Sequence, residues 1–209
     1  MRVVVLGATG GIGRSVVDAA RAAGHEVVAF GRDPSRLASL GHGVVIATGD
    51  ATDGDAVARS LVGADAVINA LGPTTRSREE VSRFETIARN LVAGMRGAGV
   101  RRLVDLGGAG ITLRGEHKPL GGRIASLIVR AIVPHVVAAK QREYEIIADS
   151  DLDWTIVRPP RVTERPATGR TTAGERLAGR SITRDDLARF MVEQLTDTTY
   201  VRKAPFVSS

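Results

Sequence analysis

Short runs of contiguous apolar residues alternate along the chain with longer stretches in which apolar residues recur every three or four positions. Val3-Val4-Val5-Leu6 is the first run, and its β-branched composition suits a strand buried on both faces. From Ile12 the rhythm becomes Ile12, Val16, Val17, Ala20, which predicts a helix to about Ala23, stopped by Gly24. Glu26–Phe30 is a second strand. Gly31-Arg32-Asp33-Pro34 is a turn, Ser35–Leu40 a short helix and Val44–Ala47 a third strand. Asp53 is placed to cap a helix running to Leu61, and Ala66–Asn69 is strand four. A long helix is expected over Glu79–Ala98, with Val81, Phe84, Ile87, Leu91, Val92 and Met95 as its apolar stripe. Strand five is Leu103–Leu106. A helical region follows between Leu120 and Ala148, bent or broken at Pro134. Trp154–Val157 is strand six, stopped by Pro159-Pro160. Arg161–Gly179 reads as loops over a pocket, Thr183–Leu195 as a last helix capped by Thr183, and Ala204–Val207 as a short final strand.

This alternation predicts an α/β fold. Right-handed crossovers give a Rossmann-type doubly wound parallel sheet of strand order 3-2-1-4-5-6, with a ligand crevice between strands one and four. The 209 residues suffice for one core, so residues 1–209 are expected to form one dinucleotide-binding domain. Residues 159–209 would form a small C-terminal segment covering the substrate pocket.

The junction of the first strand and helix carries the strongest chemical signal. Gly7-Ala8-Thr9-Gly10-Gly11-Ile12-Gly13 follows a strand, opens a helix, and precedes a second strand at βαβ distance. Gly7 permits the tight turn, Gly10 and Gly11 keep Cβ atoms away from a ligand, and Gly13 lets the helix press on the strand. The helix N-terminus then offers N–H groups and partial positive charge to a pyrophosphate.

Composition narrows the alternatives. There is no cysteine, which excludes disulfides and thiolate sites and fits a reducing cytoplasm. No apolar span reaches the roughly 18 residues of a membrane helix, and a strand begins within two residues of Met1, so no signal peptide is expected. The net charge of +6 is spread over scattered arginines, and aromatic residues are 3% of the chain; a solvated basic surface is expected, without a nucleic-acid partner. His25, His42, His117 and His135 have no metal-ligand spacing.

An NAD site usually carries a carboxylate at the tip of strand two for the ribose 2′-OH. Here that position is Gly31, followed by Arg32, with Arg36 one turn on. Guanidinium groups suit a 2′-phosphate, so NADP(H) is expected over NAD(H), with Asp33 as the carboxylate that would argue the other way. Asp50-Ala51 ends strand three near the adenine position; Asp50 is either an adenine contact or a local turn former. Ala70-Leu71-Gly72 ends strand four opposite Gly7, and its small residues let backbone approach the cofactor. Asp105, in the middle of strand five, either pairs with a buried arginine or is functional, and pairing is the expectation.

Together with Trp154-Thr155-Ile156-Val157-Arg158-Pro159-Pro160 and Ser181-Ile182-Thr183-Arg184-Asp185-Asp186-Leu187-Ala188, these motifs resemble an atypical short-chain dehydrogenase/reductase. The likeness covers nearly the whole chain. It is nearest to the small NAD(P)H-binding group that includes biliverdin reductase B/flavin reductase and the NmrA-like proteins. The family's usual catalytic set is a Ser after strand five and Tyr-x-x-x-Lys on the next helix. Lys140 matches the lysine and would hold the nicotinamide ribose, but Val136 stands where the tyrosine should be. Gly107-Gly108-Ala109-Gly110 has no hydroxyl before Thr112. Tyr144, about 6 Å further along the helix, is the candidate stand-in. His117 is a second catalytic candidate, Pro159 is counted with the cofactor-facing residues, and Arg161 is placed to hold an anionic substrate.

Without a strong acid, carbonyl reduction would leave an unstabilised alkoxide, whereas flavins, biliverdin-like compounds and quinones delocalise the charge. The resemblance therefore implies an NADP(H)-dependent reductase acting on a small conjugated acceptor, as monomer or homodimer. The alternative is a catalytically weak redox sensor of NmrA-like type that signals its ligand state to a partner. An isomerase or epimerase, which usually retains the tyrosine, is disfavoured.

Overall fold

The computed structural model describes residues 1–114, 116 and 133–209. The expected βα alternation is present. In order come β1 (Arg2–Leu6), α1 (Gly11–Ala22), β2 (Glu26–Gly31), α2 (Pro34–Ala38), β3 (Val44–Thr48), α3 (Gly54–Ser60), β4 (Ala66–Asn69), α4 (Glu79–Ala98) and β5 (Arg102–Leu106). After the undescribed stretch come α5 (Pro134–Ala148), β6 (Asp153–Val157), β7 (Val162–Thr163), β8 (Thr172–Gly174), β9 (Ile182–Thr183), α6 (Arg184–Glu193) and β10 (Phe206–Ser208). The main sheet has six strands in the order β3-β2-β1-β4-β5-β6, every pair parallel. Pro134 opens α5, where its missing N–H costs nothing. The part of the expected 120–148 helix before Val133 lies outside the described residues, as does His117.

Side-chain alternation divides the core into two layers. Val3 and Val5 face α1 and α6 with Val16, Val17, Leu187 and Met191, while Val4 and Leu6 face α3, α4 and α5 with Val57, Ile87, Leu91 and Ile147. On α4 the buried stripe runs through Phe84, Ile87, Leu91, Val92 and Met95 as expected, but Val81 is only half-buried and Glu80 is buried instead. Aspartates start the short helices: Asp33 accepts from the N–H groups of Ser35 and Arg36 at 2.9 and 3.3 Å, and Asp53 from those of Asp55 and Ala56 at 3.0 and 3.2 Å. Thr183 caps α6 through the Asp186 N–H at 3.1 Å.

Part of the last fifty residues continues the core: α6 packs on the face of the sheet that carries α1, and Lys203 and Phe206 bridge to Thr155 and Arg158 beside β6. β7 pairs with β9 and β10 pairs with β8, so the segment after β6 is held by two small ladders. The chain passes directly from β9 into α6, which packs on α1. The C-terminal segment is thereby brought against the glycine turn at the start of α1.

Candidate functional site

The four glycines of the first turn answer to different neighbours. Gly7 has φ +74°, and a Cβ there would lie 3.0 Å from the carbonyl of Ala70 and the nitrogen of Leu71. The tips of β1 and β4 therefore touch at this point. A Cβ on Gly13 would stand 2.0 Å from the Gly7 oxygen, so only glycine lets α1 start this close to the strand. Gly10 is exposed, and a Cβ there would meet only the Gly7 oxygen, at 3.3 Å. Gly11 was expected to leave space for a ligand. Instead the guanidinium of Arg184 lies 3.1 Å from the position its Cβ would take. Gly10 occupies the N-cap position of α1 and brings no capping side chain, so the helix presents its first-turn N–H groups outward.

Beside this turn lies a cluster of arginines. Arg36 donates to the Thr9 carbonyl at 3.1 Å, and Arg14 donates to the same carbonyl at 3.4 Å and to Ser39 Oγ at 2.8 Å. Arg32 stands 3.9 Å from Asp50, with most of its side chain exposed. Asp33, the carboxylate that could serve a ribose 2′-OH, starts α2 through Oδ1, and the Ser35 hydroxyl and two backbone N–H groups on that oxygen hold it below the usual carboxylate range. Asp50 closes its own turn: Oδ1 accepts from the Thr52 N–H at 2.9 Å and from the Thr52 hydroxyl at 2.8 Å. Partial burial would raise its pKa, but these bonds and Arg32 outweigh that and lower it. The neighbouring Ala51 is buried, with its carbonyl held by Asn90 at 3.1 Å.

Behind Ala70-Leu71-Gly72 is a buried ionic cluster. Asn69 and Asp105 are register partners on β4 and β5, and Asn69 Nδ2 donates to Asp105 Oδ1 at 2.7 Å and to Glu143 Oε1 at 2.9 Å. Lys140 Nζ donates to Glu143 Oε2 at 2.6 Å and to the Leu71 carbonyl at 2.7 Å, and lies 5.0 Å from the centre of the Phe84 ring. Asp105 thus has an asparagine partner rather than the expected arginine. Burial, then the Asp105 carboxylate, push Glu143 up to about 8, against the opposing pull of Lys140 and Asn69. Burial likewise raises Asp105. Two carboxyl groups around one ammonium therefore retain a proton near neutral pH, because a second buried negative charge has no counterion.

Tyr144 does not reach this cluster. Its ring is buried in the core edge-on to Trp154, with centroids 6.5 Å apart, and its hydroxyl accepts from the Arg114 N–H at 3.2 Å. One turn beyond Lys140, α5 carries this expected stand-in for the tyrosine into the apolar layer against β6. Pro159 is buried, and its carbonyl accepts from the Ala109 N–H at 3.2 Å. Arg161 is exposed at an open cavity of about 520 Å³ that it lines with Val162, Thr163, Glu164, Arg165, Arg180 and Ser181. None of these residues belongs to the glycine turn. Among the described residues no group of His, Asp and Glu is arranged to hold a metal, and no helix is long and apolar enough to cross a membrane.

Arg14 and Arg184 were not singled out from the sequence. Arg14 lies one helical turn beyond Gly10 on α1, a position the glycine motif alone could have marked. Arg184 is brought to the turn by tertiary packing, and no local pattern announces it.

A parallel sheet of this order, with a glycine turn against the tip of β4 and an uncapped helix N-terminus flanked by arginines, defines a dinucleotide-binding Rossmann domain; these residues fit a nicotinamide dinucleotide. A family model described as NAD(P)H-binding matches residues 7–198. The chain belongs to this NAD(P)H-binding family. It is 36% identical over 171 residues to a 3-diazoavenalumate denitrifying reductase of a Streptomyces species, covering 76% of this chain and 55% of that protein. It is 31% identical over 125 residues to a 3-beta-hydroxysteroid dehydrogenase of Mycolicibacterium neoaurum, covering 55% of this chain and 34% of that one. The match thus spans about half or less of these relatives' length. Among solved structures, a putative NAD-dependent epimerase/dehydratase from Bacillus halodurans superposes with TM-score 0.81 at 25% identity, over 100% of this chain and 94% of that one. An anaerobilin reductase from Escherichia coli O157:H7 has the same fold, with TM-score 0.82 at 22% identity over 100% and 97% of the two chains.

Proposed function

We propose that this chain is an NADP(H)-dependent reductase that passes a hydride to a flat, conjugated, anionic acceptor of the flavin, biliverdin-like or quinone class. The observation that carries the reading is the missing phenol: Val136 stands one turn before Lys140, and the Tyr144 hydroxyl is engaged with the Arg114 backbone inside the core. A carbonyl acceptor needs a proton where the alkoxide forms; a conjugated acceptor spreads the charge and takes its proton from water.

Each residue then has a bounded task. The first-turn N–H groups of α1 favour the cofactor's pyrophosphate. Arg32, Arg36 and Arg14 give the adenosine end a positive environment, which supports NADP(H) over NAD(H). Bound cofactor would supply the hydride. Lys140 fixes the Leu71 carbonyl and so the backbone that faces Gly7; with two of its three protons committed internally, it orders this wall of the crevice, and a ribose contact would use the third. Arg161, Arg165 and Arg180 line a cavity suited to an acceptor's phosphate or carboxylate groups.

The cofactor preference is tested by Arg32→Ala. Removing a charge-assisted bond costs roughly 1.5–3 kcal/mol, so NADPH affinity should fall about ten- to a hundredfold with NADH nearly unchanged. Equal losses for both cofactors in calorimetry would refute the assignment. The acceptor class is tested by NADPH oxidation with flavins, quinones, a linear tetrapyrrole and simple aldehydes, where the conjugated compounds should be reduced and the aldehydes not. Tyr144→Phe should leave the turnover number within about twofold; loss of a general acid would instead cost about 10²–10⁴, and such a fall would restore carbonyl reduction.

The second reading is a redox sensor, supported by the same missing donor. Tight NADPH binding without turnover of any acceptor would favour it.

A further inference from the structure

Arg184 is the first residue of α6, and three features bring it to the glycine turn. Thr183 caps the helix behind it, the Ser15 hydroxyl donates to Asp185 at 2.8 Å, and Leu187 and Ala188 pack in the same core layer as Val16 and Val17. Its guanidinium consequently rests on Gly11, with its carbon and one terminal nitrogen both 3.1 Å from where a Cβ would stand. A Cβ at position 11 would make the guanidinium give by a few tenths of an ångström, so the second glycine of the Gly10-Gly11 pair lets this arginine from the far end of the chain lie close on the turn.

The ion-pair partner of Arg184 is Glu164, in the segment after β7, whose side chain is 81% exposed. Water screens such a pair, so the contact itself gives little reason for a cation to be held at the turn. The first turn of α1 supplies one: it carries no capping side chain, and the guanidinium lies against Gly11 at the helix end where this fold receives a phosphate.

We propose that Arg184 is a cofactor-binding residue, which exchanges the Glu164 carboxylate for the pyrophosphate when the dinucleotide binds. This rests on the reading of the glycine turn as the cofactor site. Glu164 is then an internal competitor that neutralises the arginine until the dinucleotide arrives. The contact is made to the part of the cofactor that NADPH, NADH and ADP share, and it therefore adds affinity without adding selectivity, in contrast to Arg32.

Calorimetric titration of NADPH, NADH and ADP into the wild type, Arg184→Ala, Arg184→Lys and Glu164→Gln tests this, with thermal unfolding as the control for folding. Arg184→Ala should weaken all three ligands by a similar factor of about ten- to a hundredfold, and Arg184→Lys should restore part of the loss. Glu164→Gln should tighten all three by about two- to fivefold, the worth of an exposed pair. Unchanged or tighter binding by Arg184→Ala would overturn the proposal, since the arginine would then only cover the turn. So would an equal loss in Arg184→Ala and Glu164→Gln, the signature of a purely structural strap. A wild type that binds NADPH while Arg184→Ala is indifferent defeats this inference alone; a wild type that binds none of the three ligands defeats the cofactor site and the inference with it.

Discussion

Gly13→Ala is expected to abolish NADPH binding and to destabilise the fold. Two opposing terms act at this position. Alanine is the better helix former, by about 1 kcal/mol. Its Cβ, however, would stand 2.0 Å from the Gly7 oxygen and 2.7 Å from the Gly7 carbonyl carbon, and both are backbone. A flexible side chain can move away from such a clash; here the start of α1 must lift off the strand. Overpacking of this kind costs about 1–3 kcal/mol or more, so it outweighs the propensity gain. It also displaces the N–H groups of the first turn and the tight apposition of Gly7 with Ala70 and Leu71. Gly10→Val is the matched control: the position is exposed, its Cβ meets only the Gly7 oxygen at 3.3 Å, and the variant should fold normally while losing the cofactor. Denaturant unfolding and calorimetry on the pair read the two effects separately. Retention of NADPH affinity by Gly13→Ala within a small factor would mean that the close start of α1 is unnecessary for binding.

The second large effect lies in pH dependence. Glu143 is pushed up to about 8 in the folded chain from an ordinary value of 4.5, by burial first and the Asp105 carboxylate second. In the unfolded chain it ionises normally. The folded state therefore holds a proton that the unfolded state has released, and stability falls as pH rises between those two values. The contribution is intact below the unfolded value, declines through neutrality and levels off above about 8, where the folded cluster also ionises. Holding a proton across this interval changes stability by about 1.4 kcal/mol for each pH unit, so the swing is several kcal/mol. Glu143→Gln removes the ionisation, and its stability relative to the wild type should rise steadily from about pH 5 to about pH 8.5 in urea unfolding. Any constant offset from its altered bonds to Lys140 and Asn69 leaves this slope unchanged. A difference that does not vary with pH would show that the cluster does not retain a proton.

The reach of the sequence can be judged from particular residues. The strands, the glycine turn and the caps at Asp53 and Thr183 were legible because each depends on residues within a few positions of one another, whereas Asp33, read as a turn residue, proved to cap α2. Helical spacing puts Tyr144 on the same side as Lys140, and only the docking of α5 onto β6 shows that its ring belongs to the core. Lys140 was placed correctly on its helix, but spacing alone could not reveal that Glu143 and the Leu71 carbonyl take two of its protons. Asp105 was recognised as an unusual residue for a buried strand. Its partner Asn69 lies on the neighbouring strand, where only the register joins them.

What the sequence by itself determined is the parallel α/β architecture and the position of the dinucleotide turn within it. Hydrophobic rhythm, glycine placement and capping chemistry are local, and right-handed crossovers convert their order into a single topology. The tertiary structure decided how the polar side chains are used. It buried Lys140, Glu143, Asp105 and Asn69 together, packed the Tyr144 ring against Trp154, and laid Arg184 on Gly11. These outcomes depend on contacts between elements distant along the chain, where desolvation and the available partners, rather than sequence spacing, set the charge and reach of each group.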